Sequence, residues 1–274
     1  NALVGEKIAI VSNKPQTTRN RICAVVNREG CQFVFLDTPG LHKARTRLGD
    51  YMVKVVKESV ADVDAVLLLV EPIPHIGGPE AELIRRIKEL NVPAVLVINK
   101  IDTVEKEELL SVMQVYGAAH DFAAIVPISA KRNEGVDELL GLLAQFLPEG
   151  PQLFPEDMVT DQPERQVCAE IIREKLLLCL DKEIPHGTAV EITTFSERDD
   201  GIIDLDATIY CEKASHKGII IGKGGAMLKK ISTLARTDIE AFMGTKVFLQ
   251  TWVKVKENWR DNMNLIKNFG YRDE

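Results

Sequence analysis

Residues 93–102 read P-A-V-L-V-I-N-K-I-D, an apolar run that ends in the pattern N-K-x-D. An apolar run without polar alternation predicts a strand that is buried on both faces. The Asp102 carboxylate is suited to accept the two N–H donors on one edge of guanine, and adenine offers no such pair. Asn99 and Lys100 would then brace the loop and cover the base, and Ile101 completes the predicted nucleotide-binding motif. Taken alone, the same four residues also form an ordinary surface turn, so the interpretation depends on their neighbours.

Two further motifs follow strand-like runs in the same way. The run Cys31–Leu36 stops at Asp37-Thr38-Pro39-Gly40, and the run Ala124–Ile128 stops at Ser129-Ala130-Lys131. Because ligands bind beyond the carboxyl ends of the strands in open α/β sheets, the three motifs are predicted to converge on one pocket.

Each motif has a chemical role in that pocket. Asp37 would hold Mg²⁺ through a water, and Thr18, or failing that Thr17, would offer the ion a hydroxyl. The Gly40 N–H would face a γ-phosphate. Thr38, Pro39 and Leu41 complete this loop, and backbone atoms of residues 129–131 would support the base. The ordered set resembles the translation-factor-related GTPases.

The surrounding pattern predicts the fold class and the domains. Strand-like runs alternate with amphipathic segments before residue 147, which predicts a mostly parallel α/β sheet of the P-loop GTPase type. Residues 148–160 are rich in proline and break both periodicities, so they are predicted to be a linker. Residues 161–274 would then form a smaller α+β domain, beginning with a helix capped by Asp161.

One GTPase part is missing from the sequence. No G-x-x-x-x-G-K-[ST] string occurs, and the nearest match, residues 218–224, lacks the required spacing. We expect the first strand and the P-loop to precede Asn1 in the full-length protein. Hydrolysis by the chain as it stands is therefore open, and an RNA-binding module with a degenerate nucleotide domain is the alternative.

A second site is predicted in the last quarter of the chain. The strand-like run Gly218–Ile221 leads into Gly222-Lys223-Gly224-Gly225 and then into an amphipathic helix. This G-x-x-G spacing is the loop that clamps backbone nucleotides in KH domains. The predicted RNA-binding residues are Ile221, Gly222, Lys223, Gly224, Gly225, Lys229 and Lys230. Trp252 and Trp259 could stack on bases, but a core position is favoured for Trp252 and helix packing for Trp259.

Composition narrows the function classes. From Cys211 onward there are 12 Lys and Arg against 7 Asp and Glu, although the whole chain has a net charge of −7. This asymmetry indicates an anionic partner for the last quarter, with a solvated charged face as the alternative. No apolar run approaches the roughly 20 residues that span a bilayer. The five cysteines have no C-x-x-C spacing, which favours isolated thiols over a zinc site.

Taken together, one GTPase domain followed by one KH domain resembles the Era family of bacterial GTPases over essentially the whole chain. The run 12–19 is similar to the family's first switch, and residues 37–41 are similar to its second. The resemblance implies binding of GTP and GDP with Mg²⁺, and contact with the 3′ region of small-subunit (16S) ribosomal RNA. It also implies a role in assembly of the small ribosomal subunit by a monomeric, cytoplasmic protein that associates peripherally with the membrane. A ribosome-associated scaffold remains a further alternative.

Overall fold

The computed structural model describes residues 1–28, 30–61 and 63–271, which form two compact units. The first unit comprises Asn1–Glu6, Cys23–Leu36 and Val56–Thr160. The second comprises residues 7–22 and 37–55 together with the chain from Asp161 onward. Both segments that resemble GTPase switches therefore belong to the second unit, a division that sequence periodicity does not reveal. The predicted limits at residues 147 and 160 stay a prediction.

Up to residue 160 the alternation of strands and helices follows the sequence pattern. In chain order these elements are β1 (Ile22–Arg28), β2 (Cys31–Asp37), α1 (Arg47–Ser59), β3 (Val66–Val70), α2 (Gly78–Leu90), β4 (Ala94–Ile98), α3 (Lys106–Ala119), β5 (Ala124–Pro127) and α4 (Val136–Leu143). Strands β3, β4 and β5 form a parallel sheet with β4 in the centre, and β1 and β2 form a separate two-stranded sheet.

The central strand β4 is buried on both faces. Val95 and Val97 pack with leucines of α4, whereas Leu96 and Ile98 pack on the opposite side with α2 and α3. Because side chains alternate along a strand, a continuous apolar run is what a sheet covered on both faces requires. The predicted α/β architecture is confirmed.

The proline-rich segment before residue 160 is bound to the small sheet. Val25 N–H donates to Val159 O at 2.9 Å, and the Gln32 side-chain oxygen accepts from Leu153 N–H and Phe154 N–H at 2.8 and 2.9 Å. These bonds satisfy backbone groups that an open linker would leave to water. The segment is irregular in conformation but ordered by hydrogen bonds.

The second unit contains a three-stranded sheet, one face of which packs against most of the helices, while part of the other face packs against residues 259–271 and against α1. Its remaining elements are α5 (Glu164–Cys179), β6 (Ala189–Glu197), β7 (Ile203–Cys211), α6 (Ala214–Ile221), α7 (Ala226–Met243), β8 (Val247–Val255) and α8 (Met263–Asn268). Strands β6 and β7 are antiparallel and are joined through residues 199–201, and β7 and β8 are parallel.

Two predictions about this unit are wrong. The apolar run Gly218–Ile221 is the last turn of helix α6 and not a strand, with Ile220 fully buried. Four apolar residues are too short a run to distinguish the two periods. The predicted cap is also wrong, because helix α5 begins at Glu164 and Pro163, not Asp161, is the residue before it.

None of the helices described above is suited to cross a membrane. Within residues 1–28, 30–61 and 63–271, no helix combines the length and the apolar character that crossing a bilayer needs.

Candidate nucleotide and RNA sites

Asn99 braces two loops at the carboxyl end of the parallel sheet. Strand β4 ends at Ile98, and Asn99 N–H donates to Val70 O on the neighbouring strand at 2.9 Å. The Asn99 side-chain oxygen accepts from Lys100 N–H at 2.8 Å and from Ala130 N–H at 3.0 Å. Lys100 has a φ of +66°, the left-handed conformation that turns the chain toward Asp102. One amide side chain thus joins the N-K-x-D loop to the S-A-K loop.

Asp102 is held by the hydroxyl of Ser129. Ser129 is fully buried, and its Oγ donates to Asp102 Oδ1 at 2.7 Å. The Asp102 side chain is 9% exposed, and Arg132 Nε lies 4.0 Å from its other oxygen. The hydrogen bond from Ser129, aided by the charge of Arg132, lowers the pKa of Asp102. The carboxylate is therefore ionised near neutral pH and acts only as an acceptor, as guanine recognition requires.

The role of the Ser129 side chain is a residue-level feature that sequence reasoning missed. The sequence analysis assigned only backbone atoms of residues 129–131 to the base. The loop is closed by a reciprocal backbone pair, Ser129 N–H to Glu134 O and Glu134 N–H to Ser129 O, at 2.9 and 3.0 Å. A Cβ on Gly135 would lie 2.7 Å from Pro127 O, so glycine is required where the loop enters helix α4. Lys131 is exposed at its tip.

In the second unit, Thr18 and Asp37 lie together at the end of strand β2. Thr18 Oγ1 donates to Asp37 Oδ2 at 3.4 Å, and both side chains provide oxygen atoms. Thr17 is less suitable, because its hydroxyl donates to Lys14 O at 2.7 Å and contacts Ser12 Oγ at 2.6 Å. Of the two threonines considered from the sequence, Thr18 is the one left to bind an ion.

The residues after Asp37 leave space for a ligand. Pro39 is buried and Thr38 and Leu41 are half-buried, whereas Gly40 is exposed. A Cβ added to Gly40 would meet no atom within 4 Å, so the described residues leave open space beside this backbone that an external group could approach. His42 Nδ1 lies 3.1 Å from Gly40 O, which engages this imidazole with the backbone.

Residues 7–22 are anchored within the second unit by buried charges. Arg19 is 2% exposed and donates to Thr188 O at 2.7 Å, His186 O at 2.8 Å and the Tyr271 hydroxyl at 3.2 Å. Burial lowers the pKa of this guanidinium. Because Arg19 adjoins Thr18, the anchor fixes the backbone that presents the threonine hydroxyl.

A second anchor joins the start of this segment to helices α5 and α7. Lys7 Nζ lies 2.8 Å from Glu174 and 2.9 Å from Asp238, and Lys175 contacts the same two carboxylates. Burial opposes ionisation of Glu174, but hydrogen bonds from Lys175, Lys7 and the Val11 N–H lower its pKa below the ordinary value. These four side chains form a local ion-pair cluster that cannot be predicted from the sequence, because its members lie far apart along the chain.

The three glycines of the G-x-x-G loop have different roles. All have positive φ, +75° at Gly222, +59° at Gly224 and +80° at Gly225. A Cβ on Gly222 would lie 2.7 Å from Met227 Cβ and 2.9 Å from its backbone nitrogen. At Gly224 and Gly225 an added Cβ would meet nothing within 4 Å. Gly222 is therefore needed to close the turn, while the other two leave an open backbone surface.

Basic side chains surround that open surface. Lys223, Lys229 and Lys230 are exposed at the loop and on the first turns of α7, whereas Ile221 packs partly against the core. The amino end of an 18-residue helix adds a partial positive charge. The arrangement can bind a phosphate without inserting a side chain between phosphate and backbone.

The comparisons with known proteins match both parts of the chain. A family model described as a 50S ribosome-binding GTPase matches residues 1–100, and a KH domain model matches residues 183–260. GTPase Era of Ruminiclostridium cellulolyticum is 52% identical over 272 residues, which cover 99% of this chain and 91% of that protein. GTPase Era of Clostridium kluyveri is 50% identical, with coverage of 99% and 93%.

Solved structures agree with these relatives. An Aquifex aeolicus Era variant bound to GDP·AlF4⁻ has a TM-score of 0.95 and 37% identity, covering 100% of this chain and 93% of that one. Era in complex with MgGDPNP and nucleotides 1506–1542 of 16S ribosomal RNA has the same TM-score, identity and coverage. The family resemblance and the fold class inferred from the sequence are thus confirmed.

Proposed function

Since the chain belongs to the Era family of GTPases, we propose that it binds GTP and GDP with Mg²⁺ and binds the 3′ region of 16S ribosomal RNA. We further propose that it acts in assembly of the small ribosomal subunit and maturation of its RNA. A cytoplasmic location follows from the ribosomal partner. Peripheral membrane association and a monomeric state stay predictions of the family resemblance.

The single observation that carries the nucleotide proposal is the hydrogen bond from Ser129 to Asp102. It holds an ionised, nearly buried carboxylate at the carboxyl end of a parallel sheet, where nucleotides bind in α/β folds. Asn99 and Ala130 are held in place beside it, so the base-reading loop is preorganised. The proposed nucleotide-binding residues are Asp37, Thr38, Pro39, Gly40, Leu41, Asn99, Lys100, Ile101, Asp102, Ser129, Ala130 and Lys131.

The oxygen atoms of Thr18 and Asp37 fit a magnesium ion. Mg²⁺ prefers hard oxygen ligands and is usually bound by one or two side chains with waters and substrate phosphates. Bound there, the ion would neutralise phosphate charge, and the two side chains would hold it. Leu41, where a water-orienting side chain would assist hydrolysis, has neither donor nor acceptor, so slow intrinsic hydrolysis is expected.

The RNA proposal is supported by the open loop at Gly224 and Gly225 and by the lysines around it. Single-stranded RNA is bound in KH domains by such a loop. The net positive charge of the last quarter of the chain favours the phosphate backbone.

Titrations would test the nucleotide-binding proposal and the RNA-binding proposal independently. We expect a fluorescent GDP analogue to bind in the presence of Mg²⁺, GTP to displace it and ATP to fail. We also expect a labelled RNA of nucleotides 1506–1542 to bind, more weakly as salt rises. Equal competition by ATP would refute the guanine site, and binding of an unrelated duplex as tightly as this RNA would refute the KH proposal. Depletion of the protein in cells should cause precursors of the small subunit to accumulate.

A further inference from the structure

Two aromatic side chains are exposed on the outer face of strand β8. Trp252 and Phe248 are 58% and 48% exposed. Val247 and Val253 of the same strand are buried in the core. Because side chains alternate along a strand, the two aromatic residues share the face opposite to the one that packs against α5, α6 and α7. The core position that the sequence favoured for Trp252 is therefore wrong.

Trp252 is the more accessible of the two rings. The guanidinium of Arg198 lies over the Phe248 ring at 5.1 Å from its centroid, so that ring already has a partner. The other tryptophan, Trp259, is fully buried and donates its indole N–H to Gly187 O at 2.9 Å. Trp252 thus presents the larger aromatic surface to solvent, and tryptophan is a residue that is enriched at interfaces.

Strand β8 packs beside the helix that begins at the G-x-x-G loop, although the indole itself points to the opposite face of the sheet. Ser232 Oγ on α7 is 2.8 Å from Thr251 Oγ1, the residue before Trp252. Ser232 is seven residues beyond Gly225, which corresponds to roughly 10 Å along the helix axis. At about 3.4 Å per nucleotide of a stacked strand, that axial distance spans roughly three nucleotides, and an RNA strand that reaches the indole must also pass around the outer edge of β8. Within the described residues β8 pairs with no strand other than β7, so no strand covers that edge.

The charge around Trp252 is compatible with a polyanion. On its own strand, its neighbours on the same face are Gln250 and Lys254, and across the sheet it lies opposite Thr208. Strand β8 contains no acidic residue, and Lys256 follows it.

The carboxylates of the adjoining strands are mostly engaged. Asp204 is bonded to Arg198, and Glu191 accepts the Tyr210 hydroxyl at 2.8 Å. Asp206 remains, and it lies opposite Gln250.

We propose that Trp252 is a stacking site for an unpaired RNA base, which an RNA strand bound at the G-x-x-G loop would reach around the outer edge of β8. The proposal rests on the proposed RNA-binding function and adds a residue to that site. Every base has a flat π-face, so a stacked indole strengthens binding without selecting one base. Lys254 beside it would neutralise the adjoining phosphate.

The two tryptophans make the test direct, because only Trp252 is exposed. In the whole protein, titration with the unlabelled RNA of nucleotides 1506–1542 should quench part of the wild-type tryptophan fluorescence. The Trp252→Phe variant should keep most of the affinity and lose that quenching. Trp252→Ala should weaken binding about 5- to 150-fold, the range of one lost base stack. Its log–log salt slope should equal the wild-type slope, whereas Lys254→Gln should reduce the slope by roughly 0.7.

A matched control is Leu178→Ala, which removes another exposed apolar side chain of the second unit, 52% exposed. It should bind RNA as the wild type does. The stacking site is refuted if Trp252→Ala binds RNA normally and RNA leaves the wild-type tryptophan fluorescence unchanged. If Gly224→Asp nevertheless abolishes binding, the proposed RNA-binding function stands. A protein partner on this face would give that same result. If the wild type binds no single-stranded RNA, the proposed function itself fails.

Discussion

Replacing Asp102 by Asn tests the guanine pocket with the smallest change of shape. The carboxylate accepts from Ser129 and is nearly buried, so the amide fits the same space but brings donors where the base has donors. One of two hydrogen bonds to guanine should be lost, which weakens binding roughly 10- to 150-fold, and the other loses its charge, roughly 3- to 10-fold more. We therefore expect GTP affinity to fall by about 30- to 1500-fold.

The same change should create affinity for xanthosine triphosphate. Its base replaces the exocyclic amino donor by a carbonyl acceptor, which can accept from the new amide. Competition of both nucleotides against a fluorescent GDP analogue would measure the two affinities in the wild type and the variant. We expect the order of preference to invert.

Ser129→Ala is the matched control for that experiment. It removes the hydroxyl that lowers the pKa of Asp102 but keeps the carboxylate itself. GTP should therefore still be preferred over the xanthine nucleotide, with less than tenfold loss of affinity. An Asp102→Asn variant that is folded by circular dichroism and binds GTP like the wild type would refute the pocket assignment.

Three other predictions concern the remaining sites. Gly224→Asp should weaken RNA binding at least tenfold relative to Gly224→Asn, which has the same shape and similar backbone strain without the charge, and equal affinities would remove the loop from the RNA path. Thr18→Val should raise the Mg²⁺ concentration for half-maximal hydrolysis roughly tenfold while Thr18→Ser should not, and identical Mg²⁺ curves would exclude Thr18 as a ligand. Glu174→Gln should lower the free energy of unfolding at pH 7 by roughly 3 kcal/mol, because its lysine partners lose a buried charge. Since the folded pKa of Glu174 is below its unfolded value, this stabilisation is present at neutral pH and should be lost as the pH falls below the ordinary pKa of 4.5; urea unfolding curves with parallel pH profiles in both proteins would contradict the ion-pair network.

The local sequence was sufficient to predict where the base-reading loop, residues 99–102, lies in the fold. The continuous apolar run before Asn99 predicted a strand buried on both faces, and parallel strands place their carboxyl ends at one edge. The motifs after β4 and β5 therefore had to meet, and Asn99 and Ser129 do bond across them. The G-x-x-G loop could also be predicted from the local sequence, because its turn requires positive φ values, which glycine adopts readily.

Other features were decided only by the tertiary structure. Arg19 reaches the backbone at Thr188, 169 residues away, and no local pattern encodes that contact. The run Gly218–Ile221 is helical because α6 packs Ile220 into the core, although its composition favours a strand. In β8, Trp252 and Val253 are adjacent and both apolar, and strand alternation sends them to opposite faces. Which one is buried depends on the side of the sheet that the helices cover, and that side is set by packing, not by the residues of the strand.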